Sequence, residues 1–136
     1  MASLLKVDSL TGVTTAGSIS VTGEGNSTTT NLQQGLAKVW VNFNGTGTIA
    51  TRDSLNVSGL TDNGTGNYTV AYSNSMGSAN YALGNSGADT GTVFECWLGS
   101  GYGLPTSSNT GLGSGYDTPV AADLSIVTSM IMGDLA

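Results

Sequence analysis

The chain has 136 residues and a net charge of −6, long enough to bury a core of its own. Half of it is Gly, Ser, Thr or Asn, and only 9% is charged, against about 25% in ordinary domains. Lys6, Lys38 and Arg52 are the only cations, too few to neutralise a phosphate backbone, so no nucleic-acid partner is expected. The absence of His excludes Ser-His-Asp and Cys-His catalysis, and with a single Cys it removes the usual zinc ligands and any internal disulfide. Disordered chains are typically charge-rich and poor in aromatics. Nine aromatics and many Val, Ile and Leu here sit in alternating runs, so a turn-rich all-β fold is expected.

Residues 1–35 contain no aromatic residue. Leu4-Leu5-Lys6-Val7 and Ser18 to Thr22 read as short strands, separated by Thr11-Gly12 and Ala16-Gly17. Two such strands bury little alone. Leu4, Leu5, Val7, Ile19 and Val21 are therefore candidates for an attachment arm, intertwined into a short stalk or added to a neighbouring protein's sheet edge. The alternative is pairing with the main sheet. The opening apolar run is too short for a secretory leader, and no segment approaches the ~20 apolar residues of a membrane span, so no membrane partner is expected. Ser27 to Asn31 reads as a polar linker. Asn31 to Gly35 reads as one helical turn, capped by Asn and stopped by Gly, which places a domain boundary between 35 and 36.

Residues 36–136 read as a β-knob with strands at 37–44, 48–58 (interrupted near Arg52-Asp53), 67–73, 79–84, 92–98 and 122–132. Val39, Val41 and Phe43 alternate with Lys38, Trp40 and Asn42; Tyr68, Val70 and Tyr72 repeat the period. Asn44-Gly45, Gly59 to Gly66, Asn74 to Gly77 and Asn85 to Gly91 read as turns, Asn63-Gly64 being the strongest hairpin signal. Six strands at this spacing predict an antiparallel β-sandwich, jelly-roll-like or a partly closed barrel, with a short extended N-terminal arm.

Two strands are apolar on both faces: Val93 to Leu98, apart from Glu95, and Ala122 to Met132. Such strands are covered on both sides. Either they lie centrally between layers or one side meets another subunit; with few lysines to guard sheet edges, sister subunits are the expected cover. Trp40, Trp97, Leu124, Ile126, Met130 and Ile131 are the candidate subunit interface. Cys96 is expected to pack as a small hydrophobe. Arg52 is expected to capture a backbone carbonyl, to pair with Asp53, or to pair across a subunit contact. Gly99 to Pro119 reads as a loop of about 20 residues, a length associated with binding or disorder. Its Tyr102 and Tyr116 are candidates for contact with a receptor or glycan. The nine acids are scattered, with no spacing that singles out a catalytic pair. The run from Asp62 to Asn67 lacks the Gly and the Glu of a calcium loop, so no metal, cofactor or catalytic residue is expected.

The ordered series Val-Trp-Val-Asn-Phe-Asn-Gly-Thr-Gly-Thr-Ile (39–49), Arg-Asp-Ser-Leu-Asn-Val-Ser (52–58) and Thr-Asp-Asn-Gly-Thr-Gly-Asn-Tyr-Thr-Val (61–70) also carries a resemblance. It resembles a β-rich domain near the C-terminus of tail-fibre and virion-surface proteins (head fibres, decorations) of marine and cyanobacterial phages, over roughly residues 36–136. The resemblance implies a non-enzymatic virion structural protein, often a homotrimer, on the virion surface after assembly in the host cytoplasm. Those fibres usually carry a long stalk, whereas residues 1–35 are short, which favours a short appendage or capsid decoration anchored to a capsid or tail protein through the arm. The alternative is the receptor- or glycan-binding tip of a tail fibre.

Overall fold

The computed structural model describes residues 4–13, 19–23, 28–89, 94–98, 103–116 and 120–136. They divide into two units, Met1–Gly35 and Leu36–Ala136. In the first, β1 (Ser20–Thr22) and β2 (Thr29–Asn31) pair antiparallel with Val21 opposite Thr30. The ladder continues at both ends, where Gly23 donates its N–H to the Thr28 carbonyl and Leu32 donates to Ile19, each at 2.9 Å. Two expectations are corrected here. Leu4 to Val7 form no strand, and residues 29–31 of the supposed linker supply the partner strand. Asn31 does cap a single turn: its Oδ1 accepts the N–H of Gln33 at 2.8 Å and of Gln34 at 3.3 Å, and Gly35 N–H reaches the Asn31 carbonyl at 3.2 Å.

The second unit is an all-β antiparallel sandwich. One sheet has the order β4 (Ala50–Leu55), β3 (Ala37–Asn44), β11 (Ile126–Met132), β7 (Ala82–Ala88). The other runs β5 (Val57–Gly64), β6 (Asn67–Tyr72), β9 (Asn109–Tyr116), with β8 (Phe94–Trp97) and β10 (Val120–Ala121) also pairing with β9. The period-2 runs decide what is buried. Val39, Val41 and Phe43 on β3, Tyr68, Val70 and Tyr72 on β6, Val127 and Ile131 on β11 and Leu112 on β9 share one core. Phe43 and Tyr68 pack edge to face, ring centroids 5.1 Å apart, a geometry that the ring quadrupoles favour.

The stretch read as a strand over 48–58, interrupted near Arg52-Asp53, is two strands in different sheets, and the break between them comes at Asn56. The corner is Asn56, at φ 57°, a left-handed conformation that Asn tolerates better than other side chains. It is held there by Asn74, whose N–H donates to Asn56 Oδ1 at 2.7 Å while Asn56 Nδ2 donates to the Asn74 carbonyl at 3.0 Å. The supposed turn from Gly59 to Gly66 is mostly β5. The hairpin loop itself is only Thr65-Gly66, since Gly64 pairs with Asn67. The strand read at 79–84 lies at 82–88, and that read at 122–132 starts at Ile126.

The largest correction is β9. The segment read as an irregular loop from Gly99 to Pro119 contains a strand at the middle of the five-stranded sheet, buried from Thr110 to Gly115. Thr110, Leu112 and Ser114 form one face of it and Gly111, Gly113 and Gly115 the other. A Cβ on Gly113 would lie 2.4 Å from Trp97 Nε1, and one on Gly115 would lie 2.6 Å from the far edge of the same indole. Trp97 thus lies against a track of bare backbone. Glycine in a strand commonly marks such a close approach.

Candidate interaction surfaces

The polar groups at the two ends of the sandwich serve its own closure. At one end Tyr68 donates its hydroxyl proton to Asp123 Oδ1 at 2.9 Å, with the Gly45 carbonyl 3.2 Å away, and Asp123 Oδ1 also accepts the Gly66 N–H at 2.7 Å. Burial first, then the bond to Asp123, pushes the Tyr68 phenol well above its ordinary pKa. At the other end Tyr72 and Tyr81 hydroxyls lie 2.8 Å apart, and Tyr81 is 2.9 Å from the Thr106 carbonyl. A carbonyl only accepts, so Tyr81 donates to Thr106 and Tyr72 donates to Tyr81. Tyr72 is likewise pushed up, chiefly by burial. Cys96 packs half-buried against the core, and burial raises its thiol to about 11. A thiol held protonated this way is no nucleophile at neutral pH.

Arg52 takes the backbone-capturing role. Asn42 pairs with Asp53 but Phe43 pairs with Thr51, so Arg52 is the extra residue of a β-bulge, and the bulge re-aims its side chain across β3. Its guanidinium donates to the Phe43 carbonyl at 2.8 Å, to the Ser125 carbonyl at 2.5 Å and to Asn42 Oδ1 at 3.3 Å. One side chain thereby ties β4 to β3 and to the segment entering β11. Arg52→Ala is expected to cost about 1–2 kcal/mol, the contribution of charge-assisted bonds reduced for exposure. That is a fall of about 5–10 °C in thermal unfolding followed by circular dichroism. Arg52→Lys should recover only part of it, because an ammonium lacks the planar fork.

The candidate interface residues fall into three groups. Leu124 and Ile131 are fully buried inside the subunit's own core, which corrects their assignment to a subunit contact. Periodicity shows which residues share a face, not which face is inward. Trp97 lies over the glycines of β9. Trp40, Ile126 and Met130 are on the outer face of the four-stranded sheet. Register places Leu55, Trp40, Met130 and Gly84 side by side in one row across all four strands. Leu55 is 47% exposed and Met130 45%. The next row along the strands is Asp53, Asn42, Thr128 and Ser86, with the Ser86 and Thr128 hydroxyls bonded at 2.9 Å. Leu55 and Gly84 are not among the interface candidates of the sequence, although Leu55, with Val57, is legible there as part of an alternating run.

Of the proposed glycan contacts, Tyr116 ends β9 at 36% exposure and Tyr102 lies outside the described residues. In the arm, Ile19 is half-buried, whereas Leu4 and Leu5 are each 78% exposed, Val7 56% and Val21 52%. Among the described residues no three metal-ligating side chains converge. Comparison with protein-family models, with curated proteins and with solved structures finds no match.

Proposed function

We propose that this chain is a non-enzymatic virion structural protein of a phage, an oligomeric surface appendage or decoration anchored through residues 1–35 with the β-knob projecting. The observation that carries this reading is the exposed apolar arm. Leu4, Leu5, Val7, Leu10 and Val13 all face solvent, and β1 and β2 have three residues each. A hairpin of that size is marginal in water, and a run of exposed apolar groups is a surface that gains free energy on being covered, roughly 25 cal/mol per Å². The knob is consistent with a building block: the core phenols Tyr68 and Tyr72 and the Arg52 guanidinium hold strands and loops together.

The test is labelling of intact particles with an antibody against the knob, using wild-type chain and a Leu5→Asp/Val7→Asp variant. Labelling of the particle surface by wild type, and its loss in a variant whose knob unfolds at the same temperature, is the expected result. Unlabelled particles, or turnover of a polysaccharide by the purified chain, would overturn the reading.

A further inference from the structure

We infer that Asn63 is a site of spontaneous covalent modification, its side-chain amide lost as ammonia after attack by the Gly64 backbone nitrogen, and that the fold protects Asn44 from the same reaction. The tetrapeptide Asn-Gly-Thr-Gly occurs at 44–47 and again at 63–66, and these hold the only Asn-Gly pairs of the chain. The reaction favours such pairs because glycine has no Cβ to crowd the approach of its nitrogen to the preceding side chain. The two copies share even the left-handed conformation of their last residue, with Gly47 at φ 64° and Gly66 at φ 63°. What differs is the packing around each.

The step consumes nothing but water. The Gly64 nitrogen gives its proton to solvent hydroxide and bonds to Asn63 Cγ. The Cγ–Nδ2 bond breaks, and Nδ2 takes a proton from water and leaves as ammonia. The five-membered imide then adds one water at either carbonyl, which leaves aspartate or isoaspartate at position 63 and one further negative charge beside Asp62. Ring closure requires rotation of the asparagine, release of the next N–H, and room beside the glycine.

Asn63 meets all three conditions. Asp62 pairs with Tyr68 and Gly64 with Asn67, so Asn63 is the extra residue of a β-bulge, outside the regular ladder. Both Asn63 and Gly64 are exposed. The Asn63 amide is tied through Nδ2 alone, which donates to Thr69 Oγ1 at 2.9 Å and to Asn67 Oδ1 at 3.4 Å. Gly64 belongs to the last pair before the turn, where a ladder frays first. Its N–H donates to Asp62 Oδ1 at 2.9 Å, and that exposed carboxylate turns away by one rotation. A Cβ on Gly64 would meet nothing within 4 Å. The clamp on this hairpin is two residues further on, at Gly66.

Asn44 meets none of them. Its Oδ1 accepts the Thr46 hydroxyl at 2.8 Å and the Thr46 N–H at 3.3 Å, while its Nδ2 donates to the Thr46 carbonyl at 2.8 Å. Gly45 is buried, and its N–H donates to the Leu124 carbonyl at 2.9 Å. A Cβ there would lie 2.9 Å from Tyr68 Cζ and 3.0 Å from the Leu124 carbonyl oxygen. Reaction at Asn44 therefore waits until the end of β3 parts from Tyr68 and from the segment entering β11.

The test holds the purified full chain at mildly alkaline pH, folded and in urea, and follows both positions by peptide mapping. Electron-transfer fragmentation separates aspartate from isoaspartate. In urea the two identical tetrapeptides should convert at similar rates. In the folded chain Asn63 should convert at least about tenfold faster than Asn44, which depends on local opening. Asn63→Gln should remove the acidic species that accumulates on ion exchange, with thermal unfolding unchanged. Equal rates in the folded chain overturn the inference, as does faster conversion at Asn44, or a folded chain in which neither position reacts while both react in urea. The site is independent of the attachment reading, since it is read on the purified chain and labelling is read on particles.

Discussion

Gly66→Ala is expected to lower the stability of the knob by about 3–5 kcal/mol, a large part of the 5–15 kcal/mol that holds a domain folded. Two costs combine. Gly66 sits at φ 63°, where an L side chain costs about 1–2 kcal/mol. A Cβ there would also lie 2.3 Å from the Ser114 carbonyl oxygen and 2.7 Å from the Ala122 nitrogen. Both are backbone atoms, one in β9 and one in the segment that leaves β10, so neither can swing aside as a side-chain tip can. Relief requires moving β6 away from β9, which breaks the Ser114 N–H to Gly66 carbonyl bond (2.9 Å) and strains the Gly66 N–H to Asp123 bond (2.7 Å). Urea unfolding measures it. Gly59→Ala is the control, since nothing lies within 4 Å of that position and its backbone is ordinary. It should be neutral or stabilise slightly by reducing unfolded-state freedom. A Gly66→Ala variant within about 1 kcal/mol of wild type would mean that the close strand approach at this corner is wrong.

Alkaline pH should unfold the knob earlier than carboxylate-poor composition alone suggests. Tyr68, Tyr72 and Cys96 all have folded pKa values raised by burial, Cys96 to about 11. Each group is protonated in both states at neutral pH. As pH rises past the unfolded values, about 9 for the thiol and 10 for the phenols, the unfolded chain releases protons that the folded chain keeps. The unfolded state then binds fewer protons, so stability falls with pH. The slope approaches about 1.4 kcal/mol per pH unit for each such group. Urea midpoints should be flat near pH 7–8 and drop steeply above about pH 10. Tyr68→Phe and Cys96→Ala should each flatten the drop by about one group's share, whatever they do to stability at neutral pH. A midpoint independent of pH up to about 11 would contradict the burial of these groups.

The strands legible in advance are those where propensity and environment agree. Ala37 to Asn44 and Asn67 to Tyr72 alternate β-branched or aromatic residues with polar ones, and both fold as strands whose alternating apolar faces are buried. The Asn31 cap belongs to the same class, being a contact between residues two and three apart. Asn109 to Tyr116 was not legible, because Gly-Leu-Gly-Ser-Gly carries no strand propensity. It is a strand because β6 and β8 supply ladders on its two edges and Trp97 fills the space that its glycines leave. The functional surface divides in the same way. Composition excluded His-based catalysis, and alternation placed Trp40 outside the apolar face of its strand. That Leu124 and Ile131 turn inward while Leu55 and Met130 line up beside Trp40 follows from the register between strands far apart in the chain. The amino-acid order by itself determined the all-β class and the period of its faces, since both arise from neighbouring residues. The pairing of distant strands alone decided which face is core and which is open, because direction inward exists only once a second sheet is there to define it.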